Sequence, residues 1–214
     1  MVERKIQSKK RYLLALLIGT AVFIIVFGIT YSISYLEYQR ISSSQQQTSY
    51  SIFEDKLGYS LFDQEICSEE YFKKVSEKLG FQGRIIDDLE RKFGKDDERV
   101  LFRKKFYSLV ELEHFEFVKT MNVECGFDIQ TILFFYSNEP GDIKDSEKFG
   151  DYLNTVYGRN SDLLIYSFDI NLDSNLIENL KEKYNIEKSP TILINEKFKV
   201  TEIRNIEDVE KYLD

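Results

Sequence analysis

Three patterns of apolar and polar positions succeed one another along the chain. Residues 12–36 carry no charged side chain and are largely apolar on every face of a helix. Residues 65–125 repeat apolar positions at helical spacing, and residues 131–213 alternate short apolar runs with amphipathic stretches. These patterns predict a membrane helix, amphipathic helices and a parallel α/β unit. The chain divides into a basic N-terminus (1–11), a transmembrane helix (12–36), a polar linker (37–51), a helical segment (52–126) and an α/β domain (127–214).

The apolar span 12–36 is typical of a retained signal-anchor. A helix needs about 20 apolar residues to cross the hydrocarbon core of a bilayer. A cleaved signal peptide, the second interpretation, has an apolar region of only about 7–15 residues that ends at a small-residue site. A buried soluble helix, the third interpretation, would leave apolar side chains on every face. We therefore expect one pass through the lipid bilayer.

Charge predicts the orientation of this span. Its N-terminal flank carries one acidic residue, Glu3, and five basic ones: Arg4, Lys5, Lys9, Lys10 and Arg11. The positive-inside rule then predicts a cytoplasmic N-terminus and an extracytoplasmic body. The net charge is −8, and because residues 1–11 contribute +4, the remainder carries −12. A body this acidic is unsuited to nucleic acid, and no nucleic-acid partner is expected.

The polar linker includes residues 41–51, which have almost no apolar periodicity and no charge. Such a tract buries too little apolar surface to offset the entropy of ordering. It predicts a short flexible stalk, with a helical continuation of the membrane span as the alternative.

The helical segment predicts three helices, because glycine residues stand just beyond three periodic stretches. We predict helices over 68–79, 84–93 and 98–124, followed by Gly80, Gly94 and Gly126, with Asp96 or Asp97 capping the third helix. The third helix carries an apolar stripe that is expected to face the core: Phe102, Phe106, Leu109, Val110, Phe117, Val118 and Met121. His114 lies on this stripe and is the only histidine, so a buried structural role is favoured over a catalytic one.

Cys67 and Cys125 are the only cysteines of the chain. They open the first predicted helix and close the last, and the ends of antiparallel helices come together. An exported domain meets an oxidising environment, and the cysteine count is even. We therefore predict a Cys67–Cys125 disulfide. Two buried free thiols and a redox-active pair are the alternatives, and the acidic neighbours Glu69, Glu70 and Glu124 disfavour a reactive thiolate.

The C-terminal third alternates strands and helices with short loops. We predict a strand over 131–136, a helix over 145–157, a strand over 163–168, a helix from Asp173 or Ser174 to about Tyr184, strands over 191–195 and 198–203, and a last helix over 206–213 capped by Asn205. The first two strands and their connecting helix form a parallel unit with a right-handed crossover.

From about residue 129 to 214, this order of elements resembles the thioredoxin-like superfamily. The most specific match is the stretch Ser-Pro-Thr-Ile-Leu-Ile-Asn at 189–195. In that family the proline is cis and faces a Cys-x-x-Cys motif across the active-site groove. The resemblance implies a cis Ser189–Pro190 bond, a groove beside Thr191, and a central mixed sheet flanked by helices.

The cysteines of the family motif have no counterpart in this chain. Depending on a one-residue shift of the alignment, their positions fall on Asp142 and Asp145 or on Ile143 and Ser146. Thiol–disulfide exchange needs a thiolate and a nearby resolving thiol, so the resemblance implies the fold without the redox reaction.

Other chemistry is not indicated by the sequence. The acidic residues Glu139, Asp142, Asp145 and Glu147 lack the glycine-punctuated pattern of a calcium loop, and no motif for a metal or cofactor is present. We expect a membrane-anchored, extracytoplasmic module that binds or scaffolds a protein partner and is not an enzyme. The alternatives are an accessory thiol–disulfide oxidoreductase using Cys67 and Cys125, an enzyme of another class, and a subunit of a larger membrane complex.

Overall fold

The computed structural model describes residues 9–62 and 67–213, which fall into two compact units divided between Ser51 and Ile52. Helix α1 (Lys9–Phe62) begins in the first unit. Its part Lys9–Leu36 is long and apolar enough to cross a membrane, and the large apolar side chains of this part are solvent-exposed. The basic residues Arg4 and Lys5 lie outside the described residues.

The flexible conformation predicted for residues 41–51 is wrong, because α1 continues through this tract as a helix. Its serines and glutamines have modest rather than prohibitive helix propensities, and no proline or glycine interrupts them. The alternative prediction, a helical continuation of the membrane span, is therefore the one that the structure shows for residues 41–51.

Two long antiparallel helices follow, α2 (Glu69–Phe93) and α3 (Glu98–Cys125). Ser68 caps α2 by accepting a hydrogen bond from the Tyr71 amide, and Asp97 caps α3 by accepting one from the Arg99 amide. Gly126 ends α3 in the left-handed conformation, with φ of 71°, as predicted.

The predicted break at Gly80 is wrong, since α2 continues through Gly80 and Gly83. A helix-interior glycine costs about 1 kcal/mol relative to alanine, which burial of the apolar face of α2 outweighs. At Gly83 the missing side chain has a structural reason. A Cβ atom there would lie 2.9 Å from the Tyr107 hydroxyl of α3.

The apolar stripe predicted to bury α3 is only partly correct. Val110, Val118 and Met121 are buried, whereas Phe102 and Leu109 are 71% and 52% exposed. The buried face of α3 instead includes five polar residues: Arg103, Lys104, Ser108, Glu111 and His114. Most buried positions are apolar, and buried polar groups need partners. This inward polar face is the main departure from the sequence pattern.

The predicted disulfide is present and joins Cys67 to Cys125, 58 residues apart in sequence, with a Cα–Cα distance of 5.2 Å. It connects the start of α2 to the end of α3. The bridge therefore closes the open end of the helical hairpin.

The remaining elements form an α/β unit. They are β1 (Gln130–Tyr136), α4 (Ile143–Tyr157), β2 (Leu163–Asp169), α5 (Asn175–Tyr184), β3 (Thr191–Ile194), β4 (Phe198–Val200) and α6 (Glu207–Glu210). The strand order is β2-β1-β3-β4, with β1 parallel to β2 and the other pairs antiparallel. The result is a four-stranded mixed sheet. β4 and α6 are shorter than predicted, and Asn205 accepts a hydrogen bond from the Asp208 amide near the start of α6.

Each face of the sheet packs against its own hydrophobic cluster. On one face, Leu133 and Phe135 of β1 pack with Phe115 of α3 and Ile177 of α5. On the other, alternate residues of β1 pack with Phe149 and Leu153 of α4 and with the C-terminal segment. The helical hairpin thus takes part in the same core as the sheet.

Replacing both cysteines by serine (Cys67→Ser with Cys125→Ser) should lower the free energy of unfolding by about 4 kcal/mol, because the unfolded chain regains the entropy of a long closed loop. Denaturant unfolding of the wild type and of the double variant measures this difference.

Reduction of the wild type should produce the same loss, and reductant should leave the double variant unchanged. Two titratable thiols in the unreduced, unfolded wild type would contradict the bridge.

Candidate functional site

At one edge of the sheet, where β1 and β2 end, β3 begins. Tyr136 at the end of β1 pairs with Asp169 at the end of β2, and Phe135 pairs with Thr191 at the start of β3. The loops that follow parallel strands meet at one edge, where α/β proteins commonly bind ligands. In this chain the loop after β1 and the segment before β3 meet at that edge.

Three serine residues come together there. The Ser146 hydroxyl accepts a hydrogen bond from the Ser137 amide at 3.1 Å, and its Oγ lies 3.3 Å from Ser189 Oγ. Ser137 and Ser146 are buried. The Ser189–Pro190 peptide bond is cis, as the sequence predicted, and Thr191 Oγ1 donates to the Lys188 carbonyl at 2.7 Å.

The loop positions singled out from the sequence do not all reach this cluster. Ser146 points from the first turns of α4 toward Ser189, while Asp145 is exposed. Asp142 and Ile143, where α4 begins, are half-buried, and Asp142 makes no side-chain capping hydrogen bond. Of these four loop positions, Ser146 is the one whose side chain contacts Ser189.

A buried ion cluster borders the serines. Lys104 of α3 lies 2.7 Å from Asp169 and 3.0 Å from Glu90 of α2. Asn138 donates to the same Asp169 oxygen at 2.9 Å, which connects this cluster to the loop after β1. Burial by itself would lower the pKa of Lys104, but the neighbouring Tyr136, Asp169 and Glu90 raise it overall, so the ammonium form persists.

Two more polar contacts attach α3 to β2. Glu111 Oε1 accepts a hydrogen bond from the Ser167 amide at 2.8 Å. His114 Nδ1 lies 2.8 Å from the Tyr166 hydroxyl, and its Nε2 lies 3.0 Å from Ser76 Oγ. His114 is therefore a buried, hydrogen-bonded histidine, as predicted.

Burial shifts the pKa values of these two α3 side chains in opposite directions. Desolvation raises the pKa of Glu111 to about 8, although the hydrogen bond from Ser167 opposes this shift. Desolvation lowers the pKa of His114 to about 4. Because burial disfavours charge, at neutral pH Glu111 is mostly protonated and His114 is neutral.

Among the described contacts of the serine cluster, no general base lies beside a hydroxyl group. A serine nucleophile needs an adjacent general base. The single histidine of the chain is held by Ser76 and Tyr166, and Ser146 is engaged by Ser137 and Ser189. Hydroxyl groups cannot form the mixed disulfide of thiol exchange.

Sequence reasoning missed Lys104, Glu111 and Asp169. The available signal was the seven-residue spacing of Lys104 and Glu111, which places both on one face of α3. Their buried partners come from β2 and from α2, which are distant in sequence, so their pairing required the fold.

Comparisons with protein-family models, with curated proteins and with solved structures found no match to this chain.

Glu111→Gln should change how stability depends on pH. A carboxyl group whose pKa rises from 4.5 to about 8 on folding stabilises the fold fully below pH 4.5, and this contribution is lost as pH rises toward 8. The slope is at most about 1.4 kcal/mol per pH unit. The glutamine variant keeps the acceptor for Ser167 and does not ionise, so its stability relative to wild type should increase between pH 5 and pH 8.

Denaturant unfolding across this pH range is the measurement, and Glu116→Gln on the exposed face of α3 is the matched control. His114 contributes the opposite slope below pH 6.5 in both proteins, so it cancels from the comparison. Parallel pH profiles for wild type and Glu111→Gln would contradict the buried neutral carboxyl.

Proposed function

We propose that this protein is a membrane-anchored, extracytoplasmic module of thioredoxin-like fold that binds a protein segment without redox chemistry. The observation that carries the proposal is the pairing of Ser146 with Ser189 beside cis Pro190. In one of the two alignments that the resemblance allows, a cysteine of the family motif falls on Ser146, and a hydroxyl group there would retain the groove and remove the reaction.

The order of elements supports this assignment. A parallel β1-α4-β2 unit is followed by α5, the cis proline and the antiparallel pair β3 and β4. The helical hairpin is an addition to this arrangement and packs on the same sheet through α3.

The binding mode follows from the position of Ser189. β3 is paired on both sides, with β1 and with β4, so a partner cannot add to it as a neighbouring strand. Residues 187–189 lie outside the helices and strands. An extended segment pairing with this backbone is a form of β-augmentation, in which main-chain hydrogen bonds supply the affinity.

Accessory redox activity is the second candidate, since Cys67 is solvent-exposed. Glu69 and Glu70 follow Cys67 closely, and negative charge disfavours the thiolate that exchange requires. We therefore assign the bridge a structural role, and a function that survives the Cys67→Ser, Cys125→Ser double substitution would agree with this.

A photoreactive side chain at Lys188 should crosslink the full chain to a protein partner in native membranes. Lys188 is exposed and directly precedes Ser189, whereas Lys197, the matched control, is exposed at the opposite end of β3. Mass spectrometry should find a partner adduct from position 188 that position 197 does not give, because only the former borders the groove.

Adding Ser189→Arg should abolish the adduct by filling the groove with a long charged side chain. Equal adducts from positions 188 and 197, or an adduct unaffected by Ser189→Arg, would contradict binding at this edge.

The orientation has its own test. Protease added to intact spheroplasts of an expressing bacterial host should digest a C-terminal epitope and spare an N-terminal one, because the basic residues before the span hold the N-terminus in the cytoplasm. The control is lysis, after which both epitopes should be digested. A protected C-terminal epitope in intact spheroplasts would overturn the assigned orientation.

A further inference from the structure

A cavity of about 450 Å³ lies beside the edge strand β2, between α2, α3 and α4. Its solvent-exposed lining residues include Gly80 and Asp87 on α2 and Asn154 and Tyr157 on α4. The cavity therefore opens toward solvent between these two helices, and none of the three clustered serines is among its lining residues.

Glycine residues leave room in two of its walls. A Cβ atom at Gly150 of α4 would meet nothing within 4 Å, and one at Gly80 of α2 would meet only the Arg84 guanidinium at 3.7 Å. Alanine is preferred to glycine inside a helix. At these two positions packing does not demand glycine, and the cavity wall carries no side chain there.

Glu111 lines the inner wall and has an unmet hydrogen-bonding capacity. The residue is 2% exposed, and while Oε1 accepts from the Ser167 amide, Oε2 has no partner among the described residues. A buried polar atom without a partner is unfavourable. A cation that pairs with the ionised carboxylate would satisfy this oxygen.

The charge of the lining favours a cation. Four acidic residues line the cavity, against one basic residue, Lys104. The acidic residues are Asp87, Glu90, Glu111 and Asp169. Lys104 is already paired with Glu90 and Asp169, so its charge is neutralised within the wall. One lysine cannot offset two carboxylate groups, and a cation bound beside Glu111 favours the ionised form of that side chain.

The remaining lining includes apolar and aromatic side chains beside four polar ones, Ser76, Ser108, Asn154 and Ser167. Leu153 and Ile86 offer aliphatic surface, and Tyr107 and Tyr157 offer rings of the kind that attract organic cations. Pockets for small molecules combine a mostly apolar lining with a few polar groups that set the orientation of the ligand.

We propose that this cavity binds a small organic amine, with the ammonium group donating to Glu111 and the apolar part of the molecule packing against Leu153 and Ile86. Ser189 does not line this cavity, so the proposal does not depend on the proposed protein-binding function.

Binding of the amine should release a proton from Glu111, and this release can be measured. Burial raises the pKa of Glu111 to about 8, and a bound ammonium group favours the carboxylate. At pH 7, binding therefore transfers the Glu111 proton to the buffer, leaving a carboxylate–ammonium pair.

The test is titration calorimetry of the full chain in detergent with 2-phenylethylamine, and with 2-phenylethanol as the uncharged analogue of the same shape. We expect the amine to bind at least about tenfold more tightly than the alcohol. The binding enthalpy at pH 7 should vary with the ionisation enthalpy of the buffer because a proton is released.

Two variants locate the binding. Glu111→Gln keeps the acceptor for Ser167 and should weaken amine binding by at least about tenfold. Gly150→Phe should abolish binding by filling the cavity. Glu116→Gln, on the exposed face of α3 and outside the cavity lining, should bind like the wild type and serves as the matched control. Denaturant unfolding of Gly150→Phe verifies that this variant is folded.

No amine binding by the wild type up to about 10 mM would overturn the proposal, as would undiminished binding by Glu111→Gln or Gly150→Phe. Equal binding of the amine and the alcohol would also overturn it, since apolar filling alone would then explain the affinity.

Discussion

The attachment of α3 to the edge strand β2 through buried polar contacts is the constraint on which the described body depends. Lys104, Glu111 and His114 meet Asp169, Ser167 and Tyr166 in turn, so helix and strand run in opposite directions. An edge strand presents unpaired backbone groups. One of them, the Ser167 amide, donates a hydrogen bond to the Glu111 carboxyl group. These contacts orient the helical hairpin on the sheet, which aligns α2 and places Glu90 beside Lys104.

Buried polar contacts contribute less to net stability than apolar packing does, but they discriminate more strongly between alternative arrangements. A buried ion pair offers little net stability over a well-packed apolar replacement, but loss of one partner leaves an uncompensated charge. Lys104 and Asp169 are both 4% exposed at their side chains, so alternative placements of α3 would break this pair. We infer that the polar face of α3 specifies where the hairpin sits, and that the apolar clusters on the two faces of the sheet supply most of the stability.

Much of the architecture was predictable because it depends on local signals. The apolar span and the Gly126 C-cap each encode their structure locally. The cis Ser189–Pro190 bond followed from the resemblance, and the disulfide from the position of the two cysteines at helix ends. The break at Gly80 was wrong because burial along α2 overrides the propensity of one glycine. The orientation of α3 was partly wrong because side chains such as Glu111 find their partners on distant segments, and periodicity treats a buried carboxyl group as a surface residue. The serine cluster could be placed only approximately, since a one-residue shift of the loop after β1 changes which side chain meets Ser189.

The hydrogen bond from Ser167 to Glu111 also bears on where this protein can be divided. Residue 126 separates a helical pattern from an α/β pattern in the sequence, yet residues 52–214 form one compact unit. A fragment beginning after Gly126 would keep all four strands but leave the outer edge of β2 bare and Asp169 without its lysine. Such an edge is a template for pairing with another chain. The helical hairpin thus covers the outer edge of β2 and protects the sheet against self-association. The α/β portion alone would leave that edge open to another chain.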